Sequence, residues 1–139
     1  MKKVNASVSK TTLTELVLPN DTNPLNNLMG GRLLHWMDIA AAIAAQKHSN
    51  SIVVTASVDG VSFKEAIQLG DVVTLTAKVT RAFNSSMEIY IDVWVQNLRT
   101  GVKHKSNEAI STFVALDDEG KPCKFAHSRG VSILGFFPA

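Results

Sequence analysis

The 139 residues contain a single cysteine, Cys123, and four scattered histidines. One thiol forms no internal disulfide, and no Cys/His group has zinc-ligand spacing, so a reducing compartment and no metal site are expected. Excess charge of one sign is also scarce: fourteen Lys+Arg stand against twelve Asp+Glu, a formal +2. Proteins that neutralise many phosphates carry a clustered basic excess, so nucleic-acid binding is not expected. No window reaches the roughly 18 uninterrupted apolar residues of a membrane span, and the basic start at Lys2-Lys3 has no apolar segment behind it. The expectation is therefore a cytoplasmic protein with no membrane contact. Phosphate-loop and dinucleotide glycine patterns are missing as well.

What remains is a chain with 45% hydrophobic and 19% charged residues, the composition of one compact domain over residues 1–139. Thr11 to Leu18 alternates like a short strand, and Pro19 to Pro24 is turn chemistry. From Arg32 to Lys47 no Gly or Pro interrupts a run of good helix formers, apolar around the whole circumference, which predicts one buried helix. The period then drops to two. Ile52–Val58, Val72–Arg81, Met87–Gln96 and Asn107–Leu116 read as strands, the last three as a meander, with Asn97–Lys105 as a polar basic loop. A sheet with one apolar face and a helix apolar all round satisfy each other if the sheet wraps the helix, an α+β domain. The tail, 118–139, turns basic and then apolar, and is expected to dock on a neighbouring copy or fray.

Asp38 stands out as the one carboxylate in the helical segment, where burial of an unpaired charge costs several kcal/mol. It reads either as a structural acid satisfied by Arg32 or His35, or as a functional group. Gly30-Gly31 opens the helix, where first-turn amides have no intrahelical acceptor and can hold a carbonyl oxygen gaining negative charge. Asn23, Asn26 and Asn27 precede it. Ser85 and Ser86 have no nucleophile-elbow context and read as a turn or a ligand contact. Arg81, Arg99, Lys103, His104 and Lys105 are basic loop residues that could meet an anion.

Asp21-Thr22-Asn23-Pro24-Leu25-Asn26-Asn27-Leu28-Met29-Gly30-Gly31, then Met37-Asp38, then Phe63 to Val73, then Asn84-Ser85-Ser86-Met87-Glu88-Ile89, together resemble the acyl-CoA hydrolase branch of the hot-dog-fold thioesterases. The likeness runs from about Leu18 to Leu116 in the family's order. It implies a hot-dog fold, an antiparallel sheet of about five or six strands around one long central helix. It also implies a homodimer with active sites at the interface, assembled further as a trimer of dimers, acting on acyl-CoA with no cofactor beyond the CoA of the substrate. On the resemblance Asp38 is catalytic, Asn27 assists across the interface, and the Gly30 and Gly31 amides polarise the thioester carbonyl. Asn84, Ser85 and Ser86 contact CoA, with Arg81 and Phe63 as further substrate contacts. Ala66 stands where the family usually has proline, and Met29 where it has Phe or His. Two alternatives share the fold: a non-catalytic acyl-CoA-binding module, and a dehydratase or hydratase using His35 with Asp38.

Overall fold

The structure is a computed structural model that describes residues 9–60 and 65–123. Alternation builds the sheet: Val73, Leu75, Ala77 and Val79, then Met87, Ile89, Ile91, Val93 and Val95, all turn to one face and are buried there. The elements are β1 (Thr11–Leu16), a 3-10 turn (Pro19–Asp21), α1 (Gly30–Ser49), β2 (Ile52–Asp59), β3 (Val72–Ala82), β4 (Ser86–Gln96) and β5 (Lys103–Leu116). The strands form one antiparallel sheet in the order β1-β3-β4-β5-β2. Helix α1 packs against every strand. Ala40, Ala41, Ala44 and Ala45 have no exposed surface, so the helix backbone lies close on the curled sheet, beside Leu33, Met37 and Phe113.

Two sequence expectations change. The last strand starts at Lys103 instead of Asn107. Its basic residues read as loop, but backbone pairing with Trp94, Val95 and Gln96 draws them into the ladder. The helix is not surrounded by its own sheet: Leu34, His35, Asp38 and Ile39 form an exposed stripe at helical spacing. Beside that stripe, β2 bonds to β5 alone among the described strands and exposes Ile52, Val54 and Val58. Apolarity all round the helix marked burial, but one stripe is left for something outside the subunit. Of the tail, Pro122 bridges to Leu116 and Cys123 N donates to Ala115 O at 2.9 Å. Residues 124–139, on which the docking expectation rests, lie outside the described residues.

No helix among the described residues is long and apolar enough to cross a membrane. His48, in the last turn of α1, is 3% exposed, and its Nε2 has no hydrogen-bond partner among the described residues. Burial pushes its pKa down to about 4. The unfolded chain therefore binds this proton more readily than the native one. The stability held above pH 6.5 falls as pH drops toward 4, by an amount of order 2 kcal/mol. Denaturant melts at pH 7 and pH 4.5 should show this loss in the wild type and a smaller one in His48→Met; an unchanged difference would exclude His48 as its source.

Candidate active site

The loop before α1 is fixed by a second acid. Asp21, buried, accepts Leu18 N on Oδ2 at 2.9 Å and pairs through Oδ1 with Arg32 Nε at 3.2 Å. Met29 N donates to Asp21 O at 3.0 Å, so the same residue ties both ends of the loop to the first helical turn. Asn23 Oδ1 accepts Leu25 N and Asn27 N, the Asx pattern that folds a short turn. Asn26 adopts a left-handed φ of 63°, which asparagine tolerates. Leu28 N donates to Ile67 O, and Leu69 N to Asn26 O, joining the loop to the approach to β3. Arg32 is thus engaged by Asp21, not by Asp38 as one sequence reading allowed.

At the start of α1, Arg32 N and Leu33 N both donate to Met29 O, placing the Gly30 and Gly31 amides ahead of the helical ladder. Apart from its own turn of helix, no described residue lies within 4 Å of where a Cβ on Gly31 would sit, so no packing among the described residues demands glycine there. Asn27 and Gly30 line a cavity of about 220 Å³ whose far wall includes Asn107.

Asp38 is elsewhere. It is exposed in the subunit, contrary to the buried setting expected, and its Oδ1 accepts the Thr55 hydroxyl at 2.6 Å. One carboxylate oxygen is thereby fixed from β2 while the other stays available. Sequence reasoning missed Thr55 because it sits in a run read only as an apolar strand; the signal was a hydroxyl in the strand directly after the helix bearing Asp38. His35, one turn earlier, is also exposed.

Asp38 and Gly31 share one helix face but stand seven residues apart, a rise of about 10 Å. No single carbonyl group touches both within one subunit. The β3–β4 hairpin is farther still: the eleven residues of β3 span about 35 Å between the Gly30 end and Asn84. There Arg81 lies 5.6 Å from the Phe83 ring, Asn84 is exposed, and Ser85 O accepts Ala115 N. The expected site residues thus do not converge in one subunit: Asn27, Gly30 and Gly31 lie at the start of α1, Asp38 two turns along the helix against Thr55, and Arg81, Asn84, Ser85 and Ser86 at the β3–β4 hairpin. Phe63 lies outside the described residues. No metal-binding cluster of His, Cys, Asp and Glu occurs among the described residues.

This is the architecture of a known family. Its model, the thioesterase superfamily, matches residues 25–102, and the chain belongs to it. The fold is the hot-dog arrangement, five antiparallel strands curled about one long helix. The chain is 43% identical over 103 residues to the acetyl-coenzyme A thioesterase of Mus musculus, covering 74% of this chain but only 18% of that protein. It is 38% identical over 113 residues to the acyl-CoA thioester hydrolase YciA of Escherichia coli, covering 79% and 86% of the two.

Among solved structures, an apo-hexameric acyl-CoA thioesterase superposes with a TM-score of 0.84 at 42% identity, over 90% of this chain and 80% of that one. The acyl-CoA hydrolase of Staphylococcus aureus, in complex with butyryl coenzyme A, coenzyme A and its disulfide, gives 0.80 at 39%, over 86% and 73%. That hydrolase is also known with an asparagine, an aspartate or a threonine replaced by alanine, three positions spaced by fifteen and then seventeen residues.

The two acids should separate in stability. Asp21→Ala removes two local contacts and leaves Leu18 N and Arg32 unsatisfied, costing about 1–3 kcal/mol. Asp38→Ala, exposed, should stay within about 0.5 kcal/mol of wild type. Calorimetric melts that rank the two the other way would contradict this account of the loop.

Proposed function

We propose that this chain is an acyl-CoA thioesterase that hydrolyses the thioester to a free carboxylic acid and coenzyme A, at a site completed by a second copy of itself. The observation that carries the reading is the exposed Asp38 carboxylate held by Thr55 at 2.6 Å. Asn23, Asp38 and Thr55 here are separated by fifteen and seventeen residues, the spacing of the three positions substituted in the staphylococcal hydrolase. A two-fold axis beside β2 places Asp38 of one copy against Gly31 of the other, bringing the two halves together twice per dimer. The hexameric relatives support further assembly as a trimer of dimers.

The thioester carbonyl oxygen sits before the Gly31 amide at the positive end of α1, with Asn27 beside it and Asn23, the asparagine that the spacing singles out, in the same loop. Asp38, one oxygen fixed by Thr55, takes a proton from a water whose oxygen attacks the carbonyl carbon. As the tetrahedral oxyanion collapses, the C–S bond breaks and the thiolate leaves with the proton from Asp38. In a second route the carboxylate itself attacks, and water then opens the resulting anhydride. Transfer of solvent ¹⁸O into Asp38 during a single turnover distinguishes them. Arg81, Asn84, Ser85 and Ser86 hold the CoA portion. The leaving thiolate is good enough that this chemistry asks for no metal or cofactor, and the enzyme acts in the cytoplasm.

Thiol release from short, medium and long acyl-CoAs tests the reading. Asp38→Ala should lower kcat by about 10²–10⁴-fold and Thr55→Val by less; most of the wild-type rate surviving in Asp38→Ala would refute it. Val54→Lys, on the free edge of β2, should yield inactive monomers in sedimentation; an active monomer would disprove the shared site.

A further inference from the structure

The cavity at the start of α1 is shallow and closed at its inner end. Burial grades along its lining: Glu65 and Ala66 are exposed at the rim, while Leu33 and Ile67 are buried and form the floor. Gly30 lies between, where the proposed reaction places the thioester carbonyl. Leu33 follows Gly30 by three residues on the same side of the helix, so a chain attached to a carbonyl at the helix start runs down onto it. Nothing opens beyond that floor. Leu33 and Ile67 belong to the hydrophobic core, whose close packing fills the space behind them.

The opposite wall is fixed as well. Val93 pairs with Asn107 and Trp94 with Lys105, so Ser106 is an inserted residue and the bulge turns Asn107 inward. Asn107 is buried and already partnered within the fold, so it stays in place as a wall. The enclosed volume of about 220 Å³ holds roughly seven groups of water size, room for an acyl chain of about six carbons. A second copy seated at the mouth adds atoms there and deepens nothing. Each methylene that reaches the apolar floor gains about fourfold in affinity from leaving water. Carbons beyond the sixth either stay in water or force a packed core apart, and overpacking a core is costly.

Resting on the thioesterase reading, we propose that this cavity receives the acyl group and that Leu33 and Ile67 set its depth, so that the substrates are short acyl-CoAs of up to about six carbons. Non-hydrolysable thioether analogues of acetyl-, butyryl-, hexanoyl- and decanoyl-CoA, titrated calorimetrically into the full chain, test it without turnover. In the wild type, affinity should rise about tenfold for every two carbons from acetyl to hexanoyl, and the decanoyl analogue should bind about tenfold more weakly than the hexanoyl one. Leu33→Ala lowers the floor by about three carbons and should let the decanoyl analogue bind at least as tightly as the hexanoyl one. Ala66→Trp, at the exposed rim, should flatten the rise from acetyl to hexanoyl, a result that stands even if Leu33→Ala fails to fold. A wild type that binds decanoyl as tightly as hexanoyl, an unchanged preference in folded Leu33→Ala, or a full rise surviving in Ala66→Trp would each overturn the proposal. The expected binding pattern with no thiol released from any acyl-CoA would refute the proposed activity alone.

Discussion

An unpaired strand edge beside a half-apolar helix stripe is the constraint on which the rest depends. β2 leaves one row of backbone groups unpaired by any described strand while showing Ile52, Val54 and Val58 to solvent, and α1 shows Leu34 and Ile39 alongside. Open edges of this kind recruit another strand, and patches of this kind recruit another surface. A two-fold axis answers both demands with the same residues. On the proposed reading it also closes the gap of about 10 Å that separates Asp38 from Gly31 along one helix, so that what looks like a defect in the subunit would complete the site.

Two acids share the region and do different work. Asp21 is buried and fully engaged, gripping Leu18 N and Arg32 so that the loop delivers Gly30 and Gly31 in a fixed orientation. Asp38 is exposed and held at one oxygen only. A group meant to act on a ligand needs that spare valence, whereas a group meant to fix a loop does not. The bulge in β5 changes the alternation of that strand, so that His104 and the buried Asn107, three residues apart, both lie opposite buried valines of β4.

Much of this was legible in the sequence, for physical reasons. Strict alternation in Met87–Val95 and an unbroken run of helix formers after Gly31 fix the element types, because each periodicity suits only one backbone geometry. A lone carboxylate in an oily helix drew attention to Asp38. Its surroundings were misjudged, since composition records that a face is apolar and not whether its own sheet or another copy covers it. Lys103 to Lys105 read as loop on charge alone, though only their backbone decides whether they pair. The Thr55 contact was invisible because it comes from packing, needing the helix laid beside β2, and the inward turn of Asn107 from an inserted residue that no local pattern announces.

Mixing two inactive variants tests the shared site most directly. Asp38→Ala lacks the base, and Gly31→Leu puts a side chain at the helix start, where a Cβ meets no described residue outside its own turn. If each site takes Asp38 from one copy and Gly31 from the other, co-refolded subunits regain one intact site per mixed dimer, about a quarter of the wild-type rate in a random mixture. Mixed protein as inactive as its components would contradict the account.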